Sequence, residues 1–285
     1  MKTYKKVFAC TLAAGIVLCA AGFAMANFDV RGLDKGGRYE TRQYSASEPV
    51  SSVRILAQNA GIRVEKSEGG IQIEYSENKL YRYEVSLEGG VLSLSAIPTK
   101  WYQNLINFSS VSVPPVTLRL DETAYEEIFL KTDNGDISSA LSLSAETLSV
   151  STDNGNIDFA GADVSGDAQF SSDNGNIRLS GISCTGKLTA ESDNGDIGAK
   201  DVSASEAIFG SALGNIRPEA LDVAVSARLS TELGDIRGSL CGAVSDYSVR
   251  ASTELGNCNL TNSEGGGKTL TVTTDLGDIE ISFLG

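Results

Sequence analysis

The sequence predicts an all-β fold: a single-chain, right-handed β-helix, or β-solenoid, of about eight 20-residue coils, preceded by a less regular β cap and one transmembrane helix. Three observations predict it. The first is a turn rewritten at a near-constant interval, with its Gly at Gly135, Gly155, Gly175, Gly195, Gly214, Gly234, Gly256 and Gly277, spaced by 20, 20, 20, 19, 20, 22 and 21 residues. The second is the residue two after each Gly: Ile137, Ile157, Ile177, Ile197, Ile216, Ile236, Cys258 and Ile279. The third is the residue before it, which switches once, from Asn134, Asn154, Asn174 and Asn194 to Leu213, Leu233, Leu255 and Leu276. A fixed period near twenty marks a repeat architecture. Hairpins in a meander give no reason for turns to match, whereas a solenoid stacks equivalent positions about 4.8 Å apart.

The N-terminal element is separate. Residues 1–6, "MKTYKK", carry Lys2, Lys5 and Lys6, and residues 7–26, "VFACTLAAGIVLCAAGFAMA", carry no charge. Twenty apolar or small residues can span a bilayer as one helix. The preceding lysines place residues 1–6 in the cytoplasm and everything after the helix outside. The rival reading is a cleaved signal peptide ending at "AMA" before Asn27. The length of the apolar run favours a retained anchor in the cell membrane. Cys19 follows "IVL", which lacks the small residue of a lipid-attachment site, so no lipoprotein is assigned.

Residues 27–48 read as a stalk, with Gly32, Gly36 and Gly37 among polar residues. Residues 49–120 read as a β region capping the solenoid. "IRVEKSEGGIQIEY" and "YEVSLEGGVLSLSA" are strand–turn–strand patterns around Gly-Gly. "PTKWYQNLINFSS" reads as a loop, and Pro114-Pro115 would break a central strand.

Residues 121–285 are the coils. "LSVST" is one strand and "NIDF" the next. A third apolar position falls five residues after the Ile: Ala162, Ile182, Val202, Leu221 and Cys241. One coil cannot bury its own core, so neighbours must stack. The turn Gly is expected to supply positive φ. The Asn row is expected to face inward, bonding amide to amide up the stack. If it faces outward instead, Leu213, Leu233, Leu255 and Leu276 form an exposed apolar stripe and a partner-binding site.

Charge and composition exclude several functions. The chain holds no His among its 285 residues, which removes His triads and most zinc chemistry. Without residues 1–26 there remain 20 basic against 37 acidic residues, a net charge of −17. Nucleic acid is therefore not an expected partner. Cys184, Cys241 and Cys258 show no CxxC spacing and read as small buried hydrophobes.

An acidic edge is the one candidate metal site. Asp133, Asp153, Asp173 and Asp193 stand two before the Gly, and Ca²⁺ could sit between coils there. The preferred reading is turn chemistry, each Asp accepting hydrogen bonds from its own turn. No cofactor is expected. The Ser/Thr row before the turns (Thr132, Thr152, Ser172, Ser192, Ser211, Thr231, Thr253, Thr274) reads as strand surface or stacked hydroxyls rather than an ice-binding face. Tyr81, Tyr83, Trp101 and Tyr102 read as cover for the cap's core rather than a glycan platform.

"AMANFDVRGLDKGGRYE", "KLYRYEVSLEGGVLSLSA", "KWYQNLINF", "VTLRL" and the "L.V.T.NGDI"-like repeats together resemble a bacterial family of unknown function labelled "putative adhesins". The resemblance implies a surface-exposed β-solenoid behind one membrane helix, mostly in Gram-positive bacteria, with some relatives in cell-envelope stress systems. It offers no catalytic residues. The expected function is a membrane-anchored, extracellular structural or binding module for a surface protein or glycan. The alternative is an envelope-stress or signalling component with a membrane partner. A polysaccharide-active β-helix enzyme ranks last, because carboxylates at every coil are not a catalytic pair. No enzyme activity is expected.

Overall fold

The computed structural model describes residues 38–97, 113–121 and 123–285, with Gly15 and Val17. Apart from Gly15 and Val17, the proposed anchor at residues 7–26 lies outside the described residues, as do Trp101, Tyr102 and the loop at 98–110. Among the described residues no helix is long and apolar enough to cross a membrane.

The chain divides into two units. The smaller comprises Met1–Glu40, Glu77–Arg82 and Ile97–Ser112. Its described part is a turn organised by Asn78, whose Oδ1 accepts the N–H groups of Leu80 and Tyr81, both at 2.8 Å. Tyr81 stacks on Tyr39 with ring centroids 6.4 Å apart.

The larger unit is the β-solenoid, built of parallel ladders. Its strands begin with β1 (Glu40–Ser45), β2 (Ser52–Leu56), β3 (Ile62–Lys66), β4 (Gln72–Glu77), β5 (Tyr83–Glu88), β6 (Val91–Ala96) and β7 (Val116–Leu120). Next come β8 (Ala124–Asn134), β9 (Ile137–Ser139), β10 (Leu143–Asn154), β11 (Ile157–Val164), β12 (Ala168–Asn174), β13 (Ile177–Asn194) and β14 (Ile197–Lys200). The last are β15 (Ser203–Leu213), β16 (Ile216–Glu219), β17 (Asp222–Leu233), β18 (Ile236–Cys241), β19 (Tyr247–Leu255), β20 (Lys268–Leu276) and β21 (Ile279–Leu284). Each regular coil has one ladder before the turn, one after it, and a third beyond the next corner, as in Asn154↔Asn174, Ile157↔Ile177 and Ala162↔Ile182.

The core alternates as period two requires. Leu148 and Val150 point in, as do Ile157 and Phe159, and all four are buried. Val150, Phe170, Ala190, Phe209 and Leu229 form one stacked row. Ala190 separates two Phe rings, so volume alternates along the row and the rings need not collide. Phe170 meets Phe159 edge-on, with centroids 5.4 Å apart. The third apolar position is buried at Ala162, Ile182, Val202 and Leu221, but Cys241 is only partly covered.

The ladder extends beyond the eight regular copies. β2 and β3 stack on β8 and β9, with Ile62 opposite Ile137. β6 and β7 stack on the other side of β2 and β3. β5 pairs antiparallel with β6 through Gly89 (φ 59°) and Gly90 (φ 82°), the hairpin the sequence shows. The other Gly-Gly pattern is not a hairpin: β7 pairs with both β3 and β4, antiparallel to the latter. Part of the stalk is also strand, since β1 pairs with β4.

Chain order and stack order differ at both ends. β20 pairs with β17 on one side and β19 on the other. The C-terminal strands therefore lie inside the stack, and the earlier coil forms its outer edge. At the other end β2 lies between β6 and β8. The outer edge of β19 is covered in part by residues 262–263, which accept the N–H groups of Ala251 and Val249. An unpaired edge strand is a template for aggregation, and such cover blunts it. The end position also corrects the reading of Cys258, which is exposed because no coil lies beyond it; Cys184 is buried as expected.

Candidate binding surface

The turn is built from the inside outward. Thr132, Thr152, Ser172, Ser192, Ser211, Thr231 and Thr274 are all buried. They are not strand surface. Thr152 Oγ1 donates to the Gly135 carbonyl at 3.0 Å, Ser172 Oγ to Gly155 at 2.9 Å, and Ser192 Oγ to Gly175 at 2.9 Å. The row continues through Ser211, Thr231, Thr274 and half-buried Thr253. A buried carbonyl left without a partner would cost about 1–3 kcal/mol.

The glycines have a different role from the one expected. Of the eight turn glycines only Gly135 (φ 152°) and Gly256 (φ 158°) have positive φ; Gly155, Gly175, Gly195, Gly214, Gly234 and Gly277 do not. A Cβ on Gly175 would stand 1.9 Å from the carbonyl oxygen of Gly155, and one on Gly195 would stand 2.0 Å from that of Gly175. Close stacking of backbone on backbone excludes any side chain. The same contacts confirm the swapped end, since a Cβ on Gly256 would meet Gly277 and one on Gly277 would meet Gly234.

After the Gly, each Asp or Asn reaches the neighbouring coil. Asp136 Oδ1 accepts the Asn156 N–H at 2.7 Å, Asn156 Oδ1 that of Asn176 at 3.0 Å, and Asn176 Oδ1 that of Asp196 at 2.8 Å. The series runs on through Asn215, Asp235 and Asp278. Both residue types serve because the bond needs only an acceptor oxygen. Asp196 feels burial first, which opposes ionisation, but the Asn215 N–H and the Arg217 guanidinium at 2.8 Å outweigh it and hold its carboxyl below the usual value. Asp278 is held low by the Asn257 N–H and by Arg237.

Before the Gly, the Asn row does form an amide ladder: Asn154 Nδ2 donates to Asn134 Oδ1 at 3.0 Å, and Asn174 and Asn194 continue it at 3.1 Å. Asn134 Nδ2 donates onward to Asn59, in a ninth copy of the turn, "QNAGIRV", where Gly and Ile are adjacent instead of spaced. The ladder faces outward. Consequently Leu213, Leu233, Leu276 and Leu255 are 47, 44, 43 and 69% exposed, stacked in that order.

The four candidate metal ligands, Asp133, Asp153, Asp173 and Asp193, stand singly, one per coil, beside this row. Their carboxylates do not bond their own turns, and among the described residues no group of three acidic or thiol side chains could hold a metal ion. Asp133 is pushed above the usual carboxylate value by burial and by Asp153, with Lys131 opposing. In the leucine coils the same position holds Ala212, Glu232, Asp275 and Glu254.

No curated protein matches the chain. Among solved structures it is similar to a "putative adhesin" from Bacteroides fragilis NCTC 9343, at 15% identity and a TM-score of 0.52, covering 86% of this chain and 98% of that one. It is also similar to a "putative adhesin" from Parabacteroides merdae ATCC 43184, at 12% identity and a TM-score of 0.32, covering 87% of this chain and 97% of that one. A "putative cell adhesion protein" from Clostridium sporogenes ATCC 15579 gives 11% identity and a TM-score of 0.24, covering 87% and 100%. At such identities the first likeness speaks to fold alone. The model of the Toastrack DUF4097 family matches residues 50–282, and this chain belongs to that family.

Proposed function

We propose that this chain is a non-enzymatic binding module held outside the cell membrane by residues 7–26, with a surface protein as the partner of its leucine row. One observation carries the reading. Asn and Leu occupy the same turn position on the same backbone, and Asn59, Asn134, Asn154, Asn174 and Asn194 show that folding accepts an amide there. Folding therefore does not require the four exposed leucines, and a contiguous exposed apolar row marks an interaction site. Glu232, Asp275 and Glu254 beside it suit a partner with an apolar ridge and basic flanks. The adhesin names of the structural neighbours agree with this role.

The test compares cells carrying the full chain with cells carrying Leu213→Asn, Leu233→Asn, Leu255→Asn and Leu276→Asn together. Binding to partner cells or immobilised surface protein should fall by about tenfold or more, with the melting temperature unchanged. Equal adherence by the two strains would remove the leucine row from the function.

A further inference from the structure

We infer that a groove centred on Gly198 binds an acidic saccharide, through Arg178, Lys200 and Arg217. On the strands after the turn, one outward row reads Asp158, Arg178, Gly198 and Arg217 in strict register. The next outward row reads Ala160, Ser180, Lys200 and Glu219. The missing side chain at Gly198 opens a groove of about 380 Å³ between the two arginines.

Nothing in the fold requires Gly198. Its φ is not positive, and the ladder on either side of it carries no register shift, so it forms no turn or bulge. A Cβ there would meet nothing within 4 Å, in contrast to the turn glycines. A glycine inside a strand weakens it and, without a bulge or a packed backbone to explain it, marks the approach of a ligand.

The charges around the gap are available. Arg178 and Lys200 are exposed, and among the described residues neither has a hydrogen bond or ion pair, although Asp158 and Glu219 are their ladder neighbours. Arg217 uses Nη1 on Asp196, at 2.8 Å, and its side chain is 53% exposed. Its lining sets Arg178, Lys200 and Arg217 against the carboxylates Asp158, Asp196 and Glu219, so the groove is locally neutral in a chain of net charge −14. Arg178 and Arg217 are two rungs apart, roughly 10 Å along the stack. Both side chains can lean toward an oxyanion seated over Gly198, and guanidinium groups bind carboxylate or sulfate in bidentate fashion.

The groove also carries Asp158, Glu219 and the Arg217-paired Asp196, which accept hydrogen bonds and repel a bare polyanion. A ligand that suits both sets of groups has an oxyanion for the cations and hydroxyl donors for the carboxylates. A uronate or a sulfated sugar has both. This inference rests on the chain being a binding module, but it uses residues other than the leucine row.

Titration calorimetry on the full chain in detergent tests it, with oligogalacturonate, a sulfated dextran oligomer, neutral dextran oligomer and inorganic sulfate as probes. At least one of the two acidic sugars should bind, and whichever binds identifies the oxyanion. Gly198→Glu, which puts a carboxylate between the arginines, and Arg178→Ser should each weaken that binding by about tenfold or more. The melting temperature should not change, because the groove is open. The Leu213→Asn variant should bind the sugar normally, which separates this site from the protein-docking row. Binding of neutral dextran as tight as the acidic sugar, sulfate alone binding as tightly, no binding of either acidic sugar, or full binding by Gly198→Glu would each overturn the assignment.

Discussion

Thr152 Oγ1 donates to the carbonyl oxygen of Gly135 at 3.0 Å, from inside one coil to the turn of the coil beneath. The bond lets a turn carbonyl face the core. It recurs wherever two turns stack, so each coil's hydroxyl completes its neighbour's backbone. Replacing Thr152 with Val keeps the shape and removes the donor. Thr152→Val should lose about 1–3 kcal/mol, while Thr152→Ser should lose less, as Ser172 already fills the same place. Denaturant unfolding of both variants checks this; equal stability of Val and wild type would show that the carbonyl finds another partner.

Gly175→Ala should be among the most damaging single substitutions in the chain. Its Cβ would lie 1.9 Å from the Gly155 carbonyl oxygen, and that atom is backbone that cannot swing aside. The two coils must separate locally, breaking the Thr/Ser and Asx bonds on either side. A loss of roughly 3 kcal/mol or more is expected, at the upper end for overpacking. Gly198→Ala, where the added methyl meets open space, is the control and should be neutral or stabilising.

Asn154→Asp should cost about 0.5–1.5 kcal/mol. Asn154 donates to Asn134 and accepts from Asn174, so the carboxylate keeps one bond, loses the other and adds charge beside Asp153. The row is exposed, so water limits the loss. A cost well above this range in thermal melts would mean the amide ladder carries more of the stack than one exposed bond can.

The swapped end predicts an inverted order of hydrogen exchange. Amides in β20 should exchange more slowly than those in β19, although β20 is nearer the C-terminus, because β20 has a ladder on both sides. Truncation after Gly267 should expose β17 and detach β19 together. Faster exchange in β20 than in β19 would argue against the insertion.

Acid should act on the stack with two signs. Asp196 and Asp278 have carboxyls held below 3.8, so their contribution is present above that value and is lost as pH falls through their lower folded values. Asp133 has a raised value, so its ionised form disfavours folding, and this effect is relieved as pH falls. Asp133→Asn should therefore stabilise the fold at neutral pH by about 0.2–1 kcal/mol, seen as a higher melting temperature. That gain should vanish below about pH 3.8. A gain that persists in acid would point to packing instead of charge.

The stacking is legible in the repeat. Gly155 above Gly135 and Ile157 above Ile137 follow from the period alone, because a ladder in register requires equal coil lengths. The buried third position at Ala162 and Ile182 was equally legible. Thr152 could have been read too, since it shares the parity of Leu148 and Val150, the mark of an inward row. Other features arise only once the coils pack. Asn154 has that same parity yet faces out, because the chain turns a corner at Gly155 and alternation ends there. The early coil "QNAGIRV" escapes the pattern because its Ile directly follows Gly61, yet Ile62 still stacks on Ile137. Every coil presents the same row of N–H and C=O groups, so the repeat cannot say which coil lies on which. That β20 sits between β17 and β19, and β2 between β6 and β8, depends on the connections at each end. The groove at Gly198 divides between the two: Arg178, Gly198 and Arg217 each stand three residues after their turn Gly, so their register follows from the period, but only the folded chain shows that this row faces outward and that the space over Gly198 is open.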